Sequence, residues 1–211
     1  MSDFPQPGQQ LFISEGHHRE YAHIAWGDIE TQFYGYVRGY KEAADAIIRQ
    51  ALEKGDFATL DTFVFPTCFL YRQYLELAFK DIYLSNSKEN RQAKIETLKT
   101  CQHNLLKIWA KVKPLIIADF PNDDRSVLSA VEDYIKQFAK ADAGSFAFRY
   151  PITKDLELIN QQEKFINLVN LAERMNELEH FLSSVSMGMS AHRDFENEML
   201  SYYAEDMEGY Y

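Results

Sequence analysis

The sequence predicts an all-α protein, a bundle of about five helices. Three observations carry that prediction. Apolar residues recur at alternating spacings of three and four along most of the chain. No stretch of useful length alternates apolar and polar residues as a half-buried strand would. Pro, Gly, Asn and Asp punctuate the chain where helices begin and end. With 211 residues, 46% of them hydrophobic and 14% aromatic, the chain can bury a sizeable core and is too apolar for disorder.

Residues 1–27, with Pro5, Pro7 and Gly8, read as an N-terminal arm. The bundle is expected over 28–187, followed by an acidic, tyrosine-rich segment over 188–211. From Asp28 to Lys54 the positions Phe33, Val37, Tyr40, Ala44, Ile47 and Ala51 form one apolar stripe, and Gly55 supplies the stop. A second helix opens with Pro66 in its first turn and is apolar on nearly every side, as a central helix is. Its charges Arg72, Glu76 and Lys80 stand at i, i+4 and i+8, one line of alternating sign. Residues 85–100 are polar and predict a connection with a short helix.

The stretch HNLLKIWAKVKPLIIADF predicts a third long helix, bent or broken near Pro114. Asn122, Asp123 and Asp124 supply cap chemistry for the next, through about Lys140, with Val127, Val131, Tyr134, Ile135 and Phe138 on its buried side. ADAGSFAFRYP reads as a loop, in which Pro151 keeps Tyr150 out of helical geometry. The last helix is expected to start near Thr153 or Asp155 and to reach about Val185 or beyond. Leu168, Leu171, Met175, Leu178, Leu182, Val185 and Met189 keep a 3,4 spacing along it, a seam for packing on a partner helix.

The chain begins without a positive segment followed by an apolar run, and nothing approaches the ~20 apolar residues of a membrane span. A cytoplasmic protein with no membrane contact is expected. Cys68 and Cys101 lack metal-ligand spacing, so no disulfide framework, metal or cofactor is expected. The charge of −10 opposes bulk DNA binding, which depends on Lys and Arg displacing counterions, but it leaves room for a local basic pocket.

Three stretches, in order, resemble motifs of the HEPN superfamily of helical bundles. YLELAFKDIYL is similar to the family's Glu-Leu-x-x-Lys central helix, through Glu76, Leu77 and Lys80. HNLLKIW is similar to its His-Asp-Leu helix start, through His103 and Leu105, with Asn104 where Asp is usual. FRYP is similar to its Arg-Tyr-Pro element, through Arg149, Tyr150 and Pro151. The resemblance spans roughly residues 70 to 185. It implies an RNA- or nucleotide-related role in a prokaryotic defence or toxin-antitoxin setting, as a homodimer or as a subunit of a larger complex.

Catalytic members of that superfamily cleave RNA without metal, using an Arg and a His four to six residues apart, with a pair from each of two subunits. RNA supplies its own nucleophile, the 2′-hydroxyl; imidazole moves a proton near neutral pH, and guanidinium holds the phosphate. Arg174 and His180 fit the spacing, which makes them the candidate catalytic pair. Against this, nine Arg and six His in a chain of this length supply about one such pair by chance. At about 100° per residue the two side chains stand about 120° apart, so if the Leu/Met seam faces the core, His180 lies on the far side. Met175 also departs from the polar residue usual after the arginine.

A second set, Glu76, Lys80, His103, Asn104, Arg149 and Tyr150, admits two readings. One is a structural ion-pair and cap network, since a buried Glu needs a cation and Asn104 can cap a helix. The other is a pocket for a nucleotide or an RNA phosphate, with Lys80 and Arg149 as anion-binding groups. Lys107, Lys111 and Lys113 read as the wet face of their helix or as a phosphate contact. His17, His18 and His23 lack the i, i+4 spacing that shares a metal on a helix.

Overall fold

Six α-helices and one short 3-10 turn make up the fold, and among the described residues no strand forms beyond a lone antiparallel bridge between Ile152 and Leu158. The computed structural model describes residues 4–142, 144–159 and 165–208, with side chains as far as residue 203.

Helix α1 spans Ile29–Lys54. Asp28 caps it, its Oδ1 accepting from the Thr31 amide at 2.8 Å, and Gly55 ends it in the left-handed region at φ 67°, its amide donating to the Ala51 carbonyl. The buried stripe is Lys41, Ala44, Ile48 and Ala51. Ile48 takes the core position expected of Ile47, because the 3,4,3 spacing runs through a lysine that the apolar pattern passes over.

Helix α2, Phe57–Asn86, starts nine residues before Pro66. Asp56 is its cap, accepting from the Thr59 amide at 2.7 Å. Pro66 lies inside the helix but on its exposed face, and Thr62, whose carbonyl the missing N–H leaves without its usual partner, is exposed too. Solvent access there is what lets the helix continue through the proline.

Helix α3 is Arg91–Cys101, capped by Asn90, and α4 is Leu105–Asp119, capped by Asn104. Pro114 is again on an exposed face, and α4 is not broken there. Helix α5, Arg125–Ala141, takes Asp124 as cap and buries Leu128, Val131 and Ile135. Val127 faces outward and Leu128 takes its expected place.

Helix α6 is Leu168–Glu208, so it starts well after Thr153. The Thr153 hydroxyl accepts from the amides of Asp155 and Glu157, and Leu156 sits at φ 61°. That side chain-to-backbone turn competes with a helix start. Asn167 instead accepts from the Asn170 amide at 3.0 Å. Residues 160–164, which fall within the expected helix, lie outside the described residues.

The seam on α6 docks inward: Leu168, Met175, Leu178, Leu182, Val185 and Met189 are buried, and Leu171 is half-buried. Helix α2 is central, packing on α1, α4 and α6, and its Phe79 meets Trp109 of α4 with ring centroids 5.4 Å apart. α6 continues unbroken across residue 188. A Cβ on Gly188 would stand 2.8 Å from Phe120 Cζ, so glycine permits the close approach of α6 to the end of α4. Further on, the Arg193 guanidinium donates to the Ser85 carbonyl and to Asn86 Oδ1, closing the last turn of α2. Beyond it, Phe195, Leu200, Tyr202 and Tyr203 stand exposed.

Candidate functional site

Where α2, the start of α4 and the loop after α5 meet, Glu76 is 3% exposed. Its two oxygens serve different partners. Oε2 accepts from Arg72 Nη1 at 2.9 Å, while Oε1 takes Lys80 Nζ at 2.6 Å and His103 Nδ1 at 2.9 Å. Helical geometry makes the first two contacts automatic, since residues four apart lie one above the other. Burial pushes the Glu76 carboxyl up, but Lys80 and then Arg72 and His103 outweigh it and hold the group below its ordinary value of 4.5.

Arg72, fully buried, is the hub of this cluster. Its Nη2 donates to the His103 carbonyl, which ties α2 to the residue before α4. Its Nε lies 3.3 Å from Asp142 Oδ2, within ion-pair range but not aligned as a hydrogen bond. Asp142 Oδ1 in turn accepts from the amides of Phe146 and Ala147 at 2.7 and 3.0 Å, which shapes the loop after α5.

The structure thus brings Glu76, Lys80 and His103 together. Asn104 stands beside them as the α4 cap, its Oδ1 accepting from the Lys107 amide at 3.0 Å. Arg149 and Tyr150 belong to a different arrangement: Arg149 Nε donates to the Ser145 carbonyl, and its guanidinium lies against the rings of Phe69, Phe146 and Tyr150, 5.1–5.7 Å from their centroids. No hydrogen bond or ion pair joins either residue to Glu76, Lys80 or His103 among the described residues. Lys80 keeps only 18% of its side chain exposed, whereas His103 keeps 62%, so the cluster opens to solvent at the histidine.

His180 lies on the outer face of α6, whereas Arg174 is half-buried, its Nε shielded from solvent without a hydrogen-bond partner. Arg174 Nη2 pairs with Glu177 Oε1 at 2.9 Å and approaches Glu173 at 3.5 Å, both on its own helix. His180 is exposed and makes no hydrogen bond or ion pair among the described residues. Of the basic run, Lys113 pairs with Glu132 of α5, while Lys107 and Lys111 face solvent. His17 caps the 3-10 turn His18–Glu20, and among the described residues no group of three or more His, Cys, Asp or Glu is placed to hold a metal. No helix among them is long and apolar enough to cross a membrane.

Sequence reasoning missed three buried charges, Arg72, Lys41 and Asp142. Arg72 was visible in the polar line of α2, but its role at the centre was not. Lys41, 1% exposed, bonds Asp45 at 2.8 Å, Asn176 at 2.7 Å and Glu179 at 3.0 Å, tying α1 to α6, while Tyr71 of α2 donates to the other oxygen of Asp45 at 2.6 Å. The signal was its spacing, three residues before Ala44 and seven before Ile48. Fold and site together define an all-α bundle clamped by two ion networks, each built on a buried cation. In comparisons with known proteins, no family model, curated protein or solved structure matches the chain.

Proposed function

We propose that the protein is a HEPN-like module that acts by binding rather than by cleaving. Its role is RNA- or nucleotide-related, in a prokaryotic defence or toxin-antitoxin setting, and it works as a homodimer or as a subunit of a larger complex. The family and the setting rest on the motif resemblance.

The observation that supports binding without cleavage is the condition of Arg174 and His180. Arg174 is paired with Glu177 and Glu173 of its own helix, so a phosphate would have to displace carboxylates to reach it. General acid-base work needs the imidazole held within hydrogen-bonding reach of the reacting group, and His180 has no hydrogen-bond or ion-pair partner among the described residues to orient it. The groups left for an RNA phosphate are the exposed His103 and Lys107 around the start of α4, where the helix dipole favours an anion, while Lys80 is paired with Glu76. Glu76 is internally satisfied and holds the His103 ring in place.

The test is labelled tRNA incubated with purified protein in EDTA, followed by gel and by fluorescence anisotropy. Binding without cleavage is expected, weakened by His103→Ala with Lys107→Ala and unchanged by His180→Ala. Cleavage that persists in chelator and disappears in His180→Ala would overturn the proposal in favour of a metal-independent endoribonuclease, with Arg174 and His180 brought together at a dimer interface.

A further inference from the structure

At about 100° per residue, Tyr74, Ala78 and Ile82 lie on the opposite face of α2 from Arg72, Glu76 and Lys80. There a cleft of about 500 Å³ opens between α1, α2 and α6. That volume is in the range of small-molecule sites, ~300–1,000 Å³. Val37, Tyr74, Ile82 and Leu182 give it apolar walls, and Tyr34, Ser183 and Ser186 add hydroxyls.

Five charged side chains line the cleft, and four of them are matched. Arg38 Nε holds Glu42 at 2.6 Å, and Lys41 holds Glu179 at 3.0 Å. The fifth, Asp81, is half-buried and makes no hydrogen bond or ion pair among the described residues. Burial raises its pKa first, then the charge of Glu30; the charge of Arg193 opposes them from a distance, its guanidinium hydrogen-bonded to the neutral Ser85 carbonyl and Asn86 amide oxygen rather than to Asp81. A carboxylate with no ion pair or hydrogen bond beside apolar walls is the arrangement that recognises a cation carried on an apolar body.

We propose that this cleft binds a small organic cation, an amine or guanidine on an apolar body about the size of one aromatic ring, with its charge on Asp81 and its body between Tyr74, Ile82 and Leu182. The site is independent of the phosphate-binding surface at His103, and failure of either leaves the other standing. A free ligand suits a pocket walled by three helices, whereas an extended peptide needs an open groove.

The test uses 2-phenylethylamine, with neutral 2-phenylethanol and anionic phenylacetate as matched probes, read by the methyl resonance of Met187 at the cleft edge and by calorimetry. The amine is expected to shift that resonance and to bind at least about tenfold tighter than the alcohol, as an ionic hydrogen bond requires, with the acid weaker still. Asp81→Asn, which breaks no hydrogen bond, should bring amine and alcohol to within about twofold of each other. A hexapeptide with one internal lysine should bind more weakly than the free amine. Equal binding of amine and alcohol by the unaltered protein, no shift of Met187 with the amine, an amine preference that survives in Asp81→Asn, or tighter binding of the peptide would each overturn the proposal.

Discussion

Replacing Glu76 with leucine strands the Arg72 guanidinium in the core. Lys80 and His103 can turn to water, since their side chains keep 18% and 62% exposure. Arg72 cannot: it is fully buried and retains only the His103 carbonyl and the poorly aligned carboxylate of Asp142 at 3.3 Å. Breaking a buried pair by removing one partner costs about 3–5 kcal/mol, and Asp142 keeps the figure here near the lower end. Arg72→Met leaves Glu76 with Lys80 and His103 but strands the buried Asp142 carboxylate, in that variant and in the double variant alike. The double variant removes both charges together, so it should cost at least ~2 kcal/mol less than the two single losses added. Urea unfolding followed by the fluorescence of buried Trp109 measures all three; a loss of ~3 kcal/mol should move the midpoint by about 1–2 M. A loss below ~1 kcal/mol in Glu76→Leu, or strict additivity, would refute the view that this network is one cooperative unit.

The same group sets a pH dependence. The folded pKa of Glu76 is depressed, so its contribution is fully present above the unfolded value near 4.5 and is lost as pH falls through the folded value. Glu76→Gln should therefore flatten the acid limb of the stability profile, and an unchanged limb would count against the assignment. Gly39 and Gly188 make a contrasting pair. A Cβ on Gly39 meets nothing within 4 Å, so Gly39→Ala should raise stability by ~0.5–1 kcal/mol through helix propensity. Gly188→Ala carries the same gain but drives a methyl to 2.8 Å from Phe120 Cζ, and a net loss of ~1 kcal/mol is expected. Thermal melts with the same sign at both positions would refute this. Both cysteines are buried, and burial, with the nearby charge of Asp142, pushes the Cys68 thiol up to about 12. A disulfide reagent at ~pH 8 should therefore label neither thiol until the chain is unfolded; rapid native labelling would contradict the packing around α2.

The helices were legible wherever a short-range signal decides them. Asp28 and Gly55 bracket α1 because a carboxylate and a left-handed glycine act within one turn. The seam on α6 was legible for a similar reason, as an unbroken 3,4 spacing has one geometric meaning. The early start of α2 and the late start of α6 were not. Whether Pro66 ends a helix depends on whether its surroundings are wet, and whether Thr153 begins one depends on a turn that closes through its own hydroxyl.

The site was legible in part, and the way it divided has a physical cause. Glu76, Lys80 and His103 converge because two of them share a helix face and the third precedes a cap. Arg149 and Tyr150 do not join them, because the loop carrying them is folded by Asp142, a residue with no sequence signal beyond its charge. The same uncertainty separates charges that build from charges that act. In the sequence Arg72, Lys41 and Asp81 are equivalent, each a polar residue in a helix. Only packing reveals that Arg72 and Lys41 are matched within the two clamps holding α2 against its neighbours, while Asp81 is left over beside a cleft. Matched buried charges cost stability when broken, and an unmatched one costs stability by being present. Asp81→Asn should therefore raise the melting temperature near neutral pH and lose that advantage under acid, where the raised pKa of Asp81 leaves the carboxyl protonated in the folded state. A bound cation would relieve that cost, which links the stability measurement to the binding measurement at the same residue.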